Sequence, residues 1–390
     1  MESHYLKTLE RLDSEKVILK MQDTTELNFT SQKSMKDVGY LTYAKCNGLM
    51  VHTTLSVTEN GLPIGIIAQK VWSRDNELRG KASERSSKPI EEKESFRWLE
   101  TLRDTERMFS NSQIQVMIGD RESDIYELFE IPRIKNSHFL LRGTQNRLIE
   151  HIDKKLFTAL ENADAKGYVN LDVGRKNGQE ARTAELVVKY ESIRIKAPKN
   201  SKKKTNEIEL NVILVEELEA PENIEPIKWI LLTTLDITNL EDALKYVRWY
   251  SYRWLIERYH YVLKSGCQIE NLQLDSGEKI KKALSIYSII ACRLLNITYK
   301  ARKEPESSCE QIFEKKEWKM LYVLVHKNNK VPEEPPKLKD AVLWMGRLGG
   351  FLARKSDGLP GVKNIWRGYR KFYEIIDGVN LLNQFSQTSN

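Results

Sequence analysis

The sequence predicts an α/β fold: a mixed-sheet core, a β-rich segment inserted into it, and a helical C-terminal domain. Three observations predict it. Over residues 1–140 and again over 228–303, aliphatic and β-branched runs of strand length alternate with amphipathic helical stretches. Over 141–227 the pattern becomes β-rich, with runs such as Ala184-Glu-Leu-Val-Val-Lys189 and Glu209-Leu-Asn-Val-Ile-Leu-Val215 between charged turns, which reads as an insertion. Over 304–390 the chain first turns polar, is broken at Pro332-Glu-Glu-Pro-Pro336, and then reads as a helical tail. With 390 residues and 40% hydrophobic content the chain can bury a substantial core in two or three structural units.

In chain order, residues 17–21 form a short apolar strand that delivers Asp23 at its C-terminal end. Residues 39–72 read as strands, and Asn60-Gly61 between β-branched runs marks a hairpin turn that pairs 50–57 with 63–72. The charged, Ser-rich stretch 74–88 reads as a mobile loop. An amphipathic helix follows near 91–109, with Phe96, Leu99 and Leu102 on one side. Residues 114–119 are the next strand, which ends at Asp120 just before a helix from Arg121. Within the insertion, the lysine-rich 196–204 is an exposed hairpin tip or loop, with phosphate contact as the other reading. A strand resumes at Trp229, followed by one helix from about 240 through 264 and another over 277–300.

The bulk numbers exclude more than they assign. Lys and Arg number 62 against 55 Asp and Glu, a net charge of +7 that favours a polyanionic partner without deciding for one. Cys46, Cys267, Cys292 and Cys309 are too scattered for a CxxC site or a disulfide framework, and no histidine pair has zinc spacing. The N-terminus lacks an apolar signal core, and no apolar run approaches the roughly 18 residues of a membrane span, so the expected compartment is the cytoplasm, with no membrane partner.

The segment 250–264 carries the chemistry. On an ideal helix, at about 100° per residue, Tyr250, Arg253, Glu257 and Lys264 project within roughly 60° of one another, while Leu255, Ile256, Val262 and Leu263 point the other way. One face thus offers a phenol, a guanidinium, a carboxylate and an ammonium to phosphates and a metal; the plainer reading is an i, i+4 ion pair between Arg253 and Glu257. Asp23 and Asp120 add carboxylates where ligands bind open α/β sheets, beyond the carboxyl ends of strands. Each also has a plainer role, an Asx-turn for Asp23 and a helix cap for Asp120. Three carboxylates gathered at one site are suited to divalent cations, and two Mg²⁺ or Mn²⁺ ions about 3.5–4 Å apart serve phosphodiester displacement. Asp23, Asp120 and Glu257 are the candidate triad, and a strand-Asp, strand-Asp, helix-Glu arrangement suits an RNase H-like fold.

The spacing Y-x2-R-x3-E-x6-K stands here without a mismatch and resembles the DDE transposases of bacterial insertion sequences, specifically the IS-four family. Gln22-Asp23-Thr24-Thr25 is similar to the first-aspartate motif of that family and Asp120-Arg-Glu-Ser-Asp-Ile125 to the second. Gly48-Leu-Met-Val-His52 and Gly61-Leu-Pro-Ile-Gly65 resemble further landmarks, and the likeness runs through essentially all 390 residues. The resemblance implies that Asp23, Asp120 and Glu257 hold two Mg²⁺ ions, replaceable by Mn²⁺. It implies cut-and-paste transposition of double-stranded DNA by nicking, hairpin formation, hairpin opening and strand transfer from transposon ends to target. It assigns Tyr250, Arg253 and Lys264 to backbone phosphates near a distorted nucleotide, and Trp229 to stacking on an extruded base; on pattern alone Trp229 is a core indole. Arg142 is a weaker DNA-contact candidate, equally an edge-strand surface arginine. Leu348-Gly-Gly-Phe351 and Ile365-Trp-Arg-Gly-Tyr369 resemble the helical dimerisation region, which implies a homodimer in the synaptic complex and association with the nucleoid. Members of the family carry a helical end-recognition domain before the first aspartate, whereas 22 residues precede Asp23 here, so the resemblance is to a chain lacking most of that domain. Two other readings follow: a truncated regulatory or dominant-negative subunit, and another RNase H-like DNA nuclease such as a resolvase.

Overall fold

The computed structural model describes residues 1–43, 45–80, 88–173, 180–198, 207–354 and 356–388. A short helix, α1 (Glu2–Leu12), leads into β1 (Val17–Asn28). Val17, Ile18, Leu19 and Met21 are buried as expected, but the strand does not stop there. Its second half pairs antiparallel with β3, from Gln22 against Thr54 to Asn28 against Gly48. Asp23 therefore lies inside a twelve-residue strand and not at its end. The polar run from Gln22 to Glu26 is held extended by this cross-strand ladder, which a local apolar pattern does not reveal.

After β2 (Gly39–Tyr40), the strands β3 (Asn47–Thr58) and β4 (Pro63–Trp72) form the hairpin that Asn60-Gly61 predicts, with Gly61 at φ +76° where a side chain is disfavoured. Of the loop expected over 74–88, residues 81–87 lie outside the described residues, and 76–78 form a 3-10 turn. The helix expected near 91–109 is shorter: a 3-10 turn precedes α2 (Phe96–Glu106), which buries Trp98, Leu99 and Leu102. β5 (Ile114–Gly119) ends as anticipated just before Asp120. No long helix starts at Arg121, because Asp120 caps a single 3-10 turn over Arg121–Ser123 and α3 (Tyr126–Glu130) begins after it.

The chain continues through β6 (Ser137–Arg142), α4 (Leu156–Asn162), β7 (Gly167–Val173), β8 (Arg182–Ile195), β9 (Ile208–Glu217) and β10 (Lys228–Thr233). Of the lysine-rich stretch 196–204, residues 199–204 lie outside the described residues. Among the described residues the strands make a ten-stranded sheet in the order β2-β3-β1-β5-β6-β10-β9-β8-β7, with β4 paired to β3. The strands between β6 and β10 thus extend the central sheet through β9 on β10. Among the described strands of this sheet, β1 pairs parallel with β5 and β5 with β6. The β1–β5 ladder runs from Val17↔Ile114 to Met21↔Ile118, so Asp23 and Asp120 each follow two residues after the last pair. That register brings the two aspartates to the same edge of the parallel centre.

The sheet is covered on both faces, as a parallel centre requires. Met117, Phe139 and Leu141 face a layer that includes Trp98, Phe129 and Leu160. Val116, Ile118 and Leu140 face the other way, toward α5 (Leu240–Ser251), α6 (Trp254–Tyr261) and α7 (Gly277–Lys303). The helix expected over 240–264 is broken. Arg253 N–H bonds the Tyr250 carbonyl and Leu255 N–H the Tyr252 carbonyl, i−3 contacts that tighten the chain at the junction of α5 and α6. Beyond α6 a π-helical turn runs over Val262–Gly266.

Of the C-terminal helices α8 (Lys315–His326), α9 (Leu338–Leu348) and α10 (Val362–Thr388), α9 and α10 pack on α7 and on each other, and α8 packs on α9. Gly349 and Gly368 permit a close crossing of α9 and α10: a Cβ on Gly368 would overlap the Met345 carbonyl, and one on Gly349 the Asn364 carbonyl. Ile365, Tyr369 and Phe372 of α10 are buried, with the Tyr369 ring stacked 6.1 Å from Phe313. No described helix is long and apolar enough to cross a membrane.

Candidate active site

Asp23 on β1, Asp120 just past β5 and Glu257 in the first turn of α6 come from three separate elements and face one region. Each aspartate is anchored by a backbone donor of its own element: Thr24 N–H to Asp23 Oδ1 at 2.8 Å, and Glu122 N–H to Asp120 Oδ1 at 3.0 Å. The plainer role of Asp120 as a cap is therefore real, whereas Asp23 makes no Asx-turn, since its donor is the adjacent Thr24 N–H within an extended strand; both contacts orient the carboxylates and do not use up their second oxygens. Burial pushes the Asp23 carboxyl up to about 7, the neighbouring Asp120 adds to the rise and Glu257 adds further, while the Thr24 N–H and Arg253 oppose it. A buried carboxyl crowded by two further carboxyl groups is a set of oxygen donors of the kind a hard divalent cation satisfies. As they stand the side chains are not a finished cage: among the described residues no three His, Cys, Asp or Glu groups have metal-holding geometry. Glu257 instead accepts a 2.7 Å bond from Arg253 Nη2.

The break at the α5–α6 junction changes the phase of the helix, and the common face read from the sequence divides in two. Tyr250, expected beside Glu257 on the open face, is buried, with its ring edge-on to Trp229 at 5.3 Å. Arg142 reaches the Tyr250 hydroxyl and donates through Nη2 to the Lys228 carbonyl at 2.7 Å. Trp229, Tyr250 and Arg142 thus form one cluster at the edges of β6 and β10. Trp229 is only half-buried, so it is not a sealed core indole. Arg253 belongs to the acidic group; its Nε is buried without a hydrogen-bond partner. Lys264 sits half-buried on the π-helical turn, near enough that its charge helps hold His260 neutral.

Several neighbours escape sequence reasoning. His260, one turn beyond Glu257, is buried, and its Nδ1 lies 3.6 Å from Asp23 Oδ2. Burial lowers it to about 3, with Lys264 adding to the effect. Its spacing of three from Glu257 on an amphipathic helix is a usable signal. On the other side of Asp23, Thr24 Oγ1 pairs with His52 Nδ1 at 2.9 Å, and His52 Nε2 with Gln22 Oε1 at 3.2 Å. Arg97 Nε donates to the same Thr24 hydroxyl at 2.9 Å. These are cross-strand and sheet-to-helix contacts, which no local pattern carries.

Residues 89–293, more than half of the chain, match the family model described as the transposase DDE domain, and residues 289–389 match that of the transposase Tn5 dimerisation domain. The first match takes in Asp120 and Glu257 and begins after Asp23, whose strand pairs with β5 inside it.

Proposed function

This chain belongs to the DDE-domain transposases, a family of metal-dependent DNA-cleaving enzymes, and from that premise we propose that it performs cut-and-paste transposition with Asp23, Asp120 and Glu257 as its acidic triad. The observation that carries the reading is the register that sets Asp23 and Asp120 two residues beyond the last β1–β5 pair, with Glu257 of α6 near enough to raise the Asp23 carboxyl further. The IS-four assignment is supported by the Tyr250, Arg253, Glu257 and Lys264 spacing together with the C-terminal match.

Held by the triad, two Mg²⁺ ions, or Mn²⁺ in their place, would neutralise charge on the attacking and leaving oxygens of each in-line displacement. The rest of the reading concerns this chain's own side chains. Water attacks the phosphodiester at the element's end and frees a 3′-hydroxyl; that hydroxyl attacks the opposite strand to close a hairpin; a second water opens it; and the 3′-hydroxyl then joins target DNA. Each step exchanges one P–O bond for another at the same site. Arg253, with a buried Nε unused by the protein, and Lys264 hold backbone phosphates. Trp229, braced edge-on by Tyr250, is the platform for a base unstacked at the hairpin, and such stacking contributes about 1–3 kcal/mol. Arg142 fixes the phenol from the other side. The substrate is double-stranded DNA and the working form a homodimer, as the C-terminal match supports.

The test is Mn²⁺-dependent nicking, hairpin formation and strand transfer on duplexes carrying the host element's ends, comparing the chain with Glu257→Gln. Products that fall by roughly three orders of magnitude in the variant uphold the reading. Unchanged products in Glu257→Gln remove Glu257 from the triad. DNA binding without products from the parent chain favours the regulatory-subunit reading.

A further inference from the structure

Arg97 opens no path to substrate in the reading above, yet it is bound to both aspartate-bearing segments. Its Nε donates to Thr24 Oγ1 at 2.9 Å, its Nη2 to Glu122 Oε2 at 2.5 Å, and its Nη1 to the Glu94 carbonyl at 2.9 Å. Thr24 and Glu122 are the residues whose backbone N–H groups hold Asp23 and Asp120 by their Oδ1 atoms. One guanidinium therefore fastens, through two side chains, the two peptide groups that aim the two carboxylates. The side chain is mostly buried, with its charged end 5.9 Å from the Trp72 ring centre and 5.7 Å from that of Trp98, contacts that add to the hydrogen bonds in fixing its position.

We propose that Arg97 is a positioning residue that sets the separation of Asp23 and Asp120, and through it the affinity of the site for divalent metal. This rests on the assignment of those aspartates as metal ligands. β1 and β5 are paired only as far as Met21 and Ile118, so past that point the sheet no longer fixes the distance between the two segments. The guanidinium spans that gap. Its planar fork supplies fixed donor directions, which a lysine ammonium on a flexible stem does not reproduce. Partners that orient metal ligands typically change affinity by about 10–100-fold when removed.

The experiment measures Mn²⁺ binding to the DNA-free full-length chain by electron paramagnetic resonance of the free ion, alongside nicking as a function of Mn²⁺ concentration. The chains are the parent, Arg97→Lys, Arg97→Met, Thr24→Val and the Arg97→Met/Thr24→Val double variant, with Asp23→Asn as control. The proposal expects both the binding constant and the half-saturating Mn²⁺ concentration to shift by about tenfold or more in the Arg97 variants. Thr24→Val should shift in the same direction, and the double variant should fall short of the sum of the two single shifts, because the Arg97–Thr24 bond is lost in both while Thr24 also loses His52 and Arg97 also loses Glu122. A variant that melts early is replaced as evidence by Thr24→Val, which deletes one hydroxyl. Metal constants that stay at the parent value in Arg97→Lys and Thr24→Val overturn the proposal, as does a loss confined to DNA affinity. If Asp23→Asn binds Mn²⁺ and nicks like the parent, the triad assignment fails instead, so the two failures are separable.

Discussion

Lys20 is fully buried in β1, donating through Nζ to Gln115 Oε1 at 2.9 Å, with Glu106 near enough to favour its charge. Burial nevertheless lowers it from 10.5 to about 7. The unfolded chain keeps this proton up to its ordinary value and the folded chain releases it near 7, so between those values the unfolded state binds more protons and stability rises with pH. Below 7 the ammonium is charged in both states and its burial penalty is at its largest. Lys20→Met should therefore be more stable than the parent at pH 7, on the order of a few kcal/mol, with a difference that shrinks toward pH 10. Urea unfolding at the two pH values checks this; a gap that grows with pH is the wrong sign. Asp23 gives the complementary expectation for metal. Because its carboxylate is crowded by Asp120 and Glu257, Mg²⁺ added to the DNA-free chain should raise the melting temperature, by about 2.7 kcal/mol of stability at a hundredfold excess over the dissociation constant. Asp23→Asn should lose that rise. An equal rise in the variant would locate the ion elsewhere.

At the scale of elements, the α5–α6 junction decides what the site looks like. The tip of the β3–β4 hairpin packs on it: a Cβ on Gly61 would come within 2.8 Å of the Tyr252 ring, at a φ of +76° that already disfavours one. Gly61→Ala should cost about 1–2 kcal/mol in a denaturant titration and also lower nicking, since Tyr252 stands between Tyr250 and Glu257. Loss of stability with full nicking would show that the junction tolerates the displaced ring. This junction is also where sequence reading stops. Mean periodicity over 240–264 gives the buried sides of Leu255, Ile256, Val262 and Leu263 correctly, because each turn keeps its own apolar stripe. It cannot register the tight turn at Tyr252 and Arg253, which shifts phase between turns and sends Tyr250 to Trp229. The surroundings of the two aspartates are legible to different degrees. Asp120 follows a compact apolar strand and reads well; Asp23 reads as a strand end because its neighbours are polar, although the β3 ladder carries the strand onward. The contacts of Arg97 and His52 with Thr24 are not legible, because tertiary register sets them.

At the scale of the whole molecule, α10 projects apolar side chains beyond the packed C-terminal helices: Leu381 is 58% exposed and Leu382 69%. This lies within the segment that matches a dimerisation domain. Leu381→Arg should therefore weaken self-association, with sedimentation moving toward monomer at a concentration where the parent is dimeric; an unchanged profile removes this end of α10 from the interface. The order of elements has one more consequence. β1, β5 and β6 are complete well before α6, so Asp23 and Asp120 leave the ribosome first and Glu257 last, after β7–β10 and α5. At about 5–20 residues per second, a growing chain spends several seconds with two acids and no third. On the proposed assignment the site is incomplete throughout that interval. Glu257 is added only when roughly two-thirds of the 390 residues have been joined.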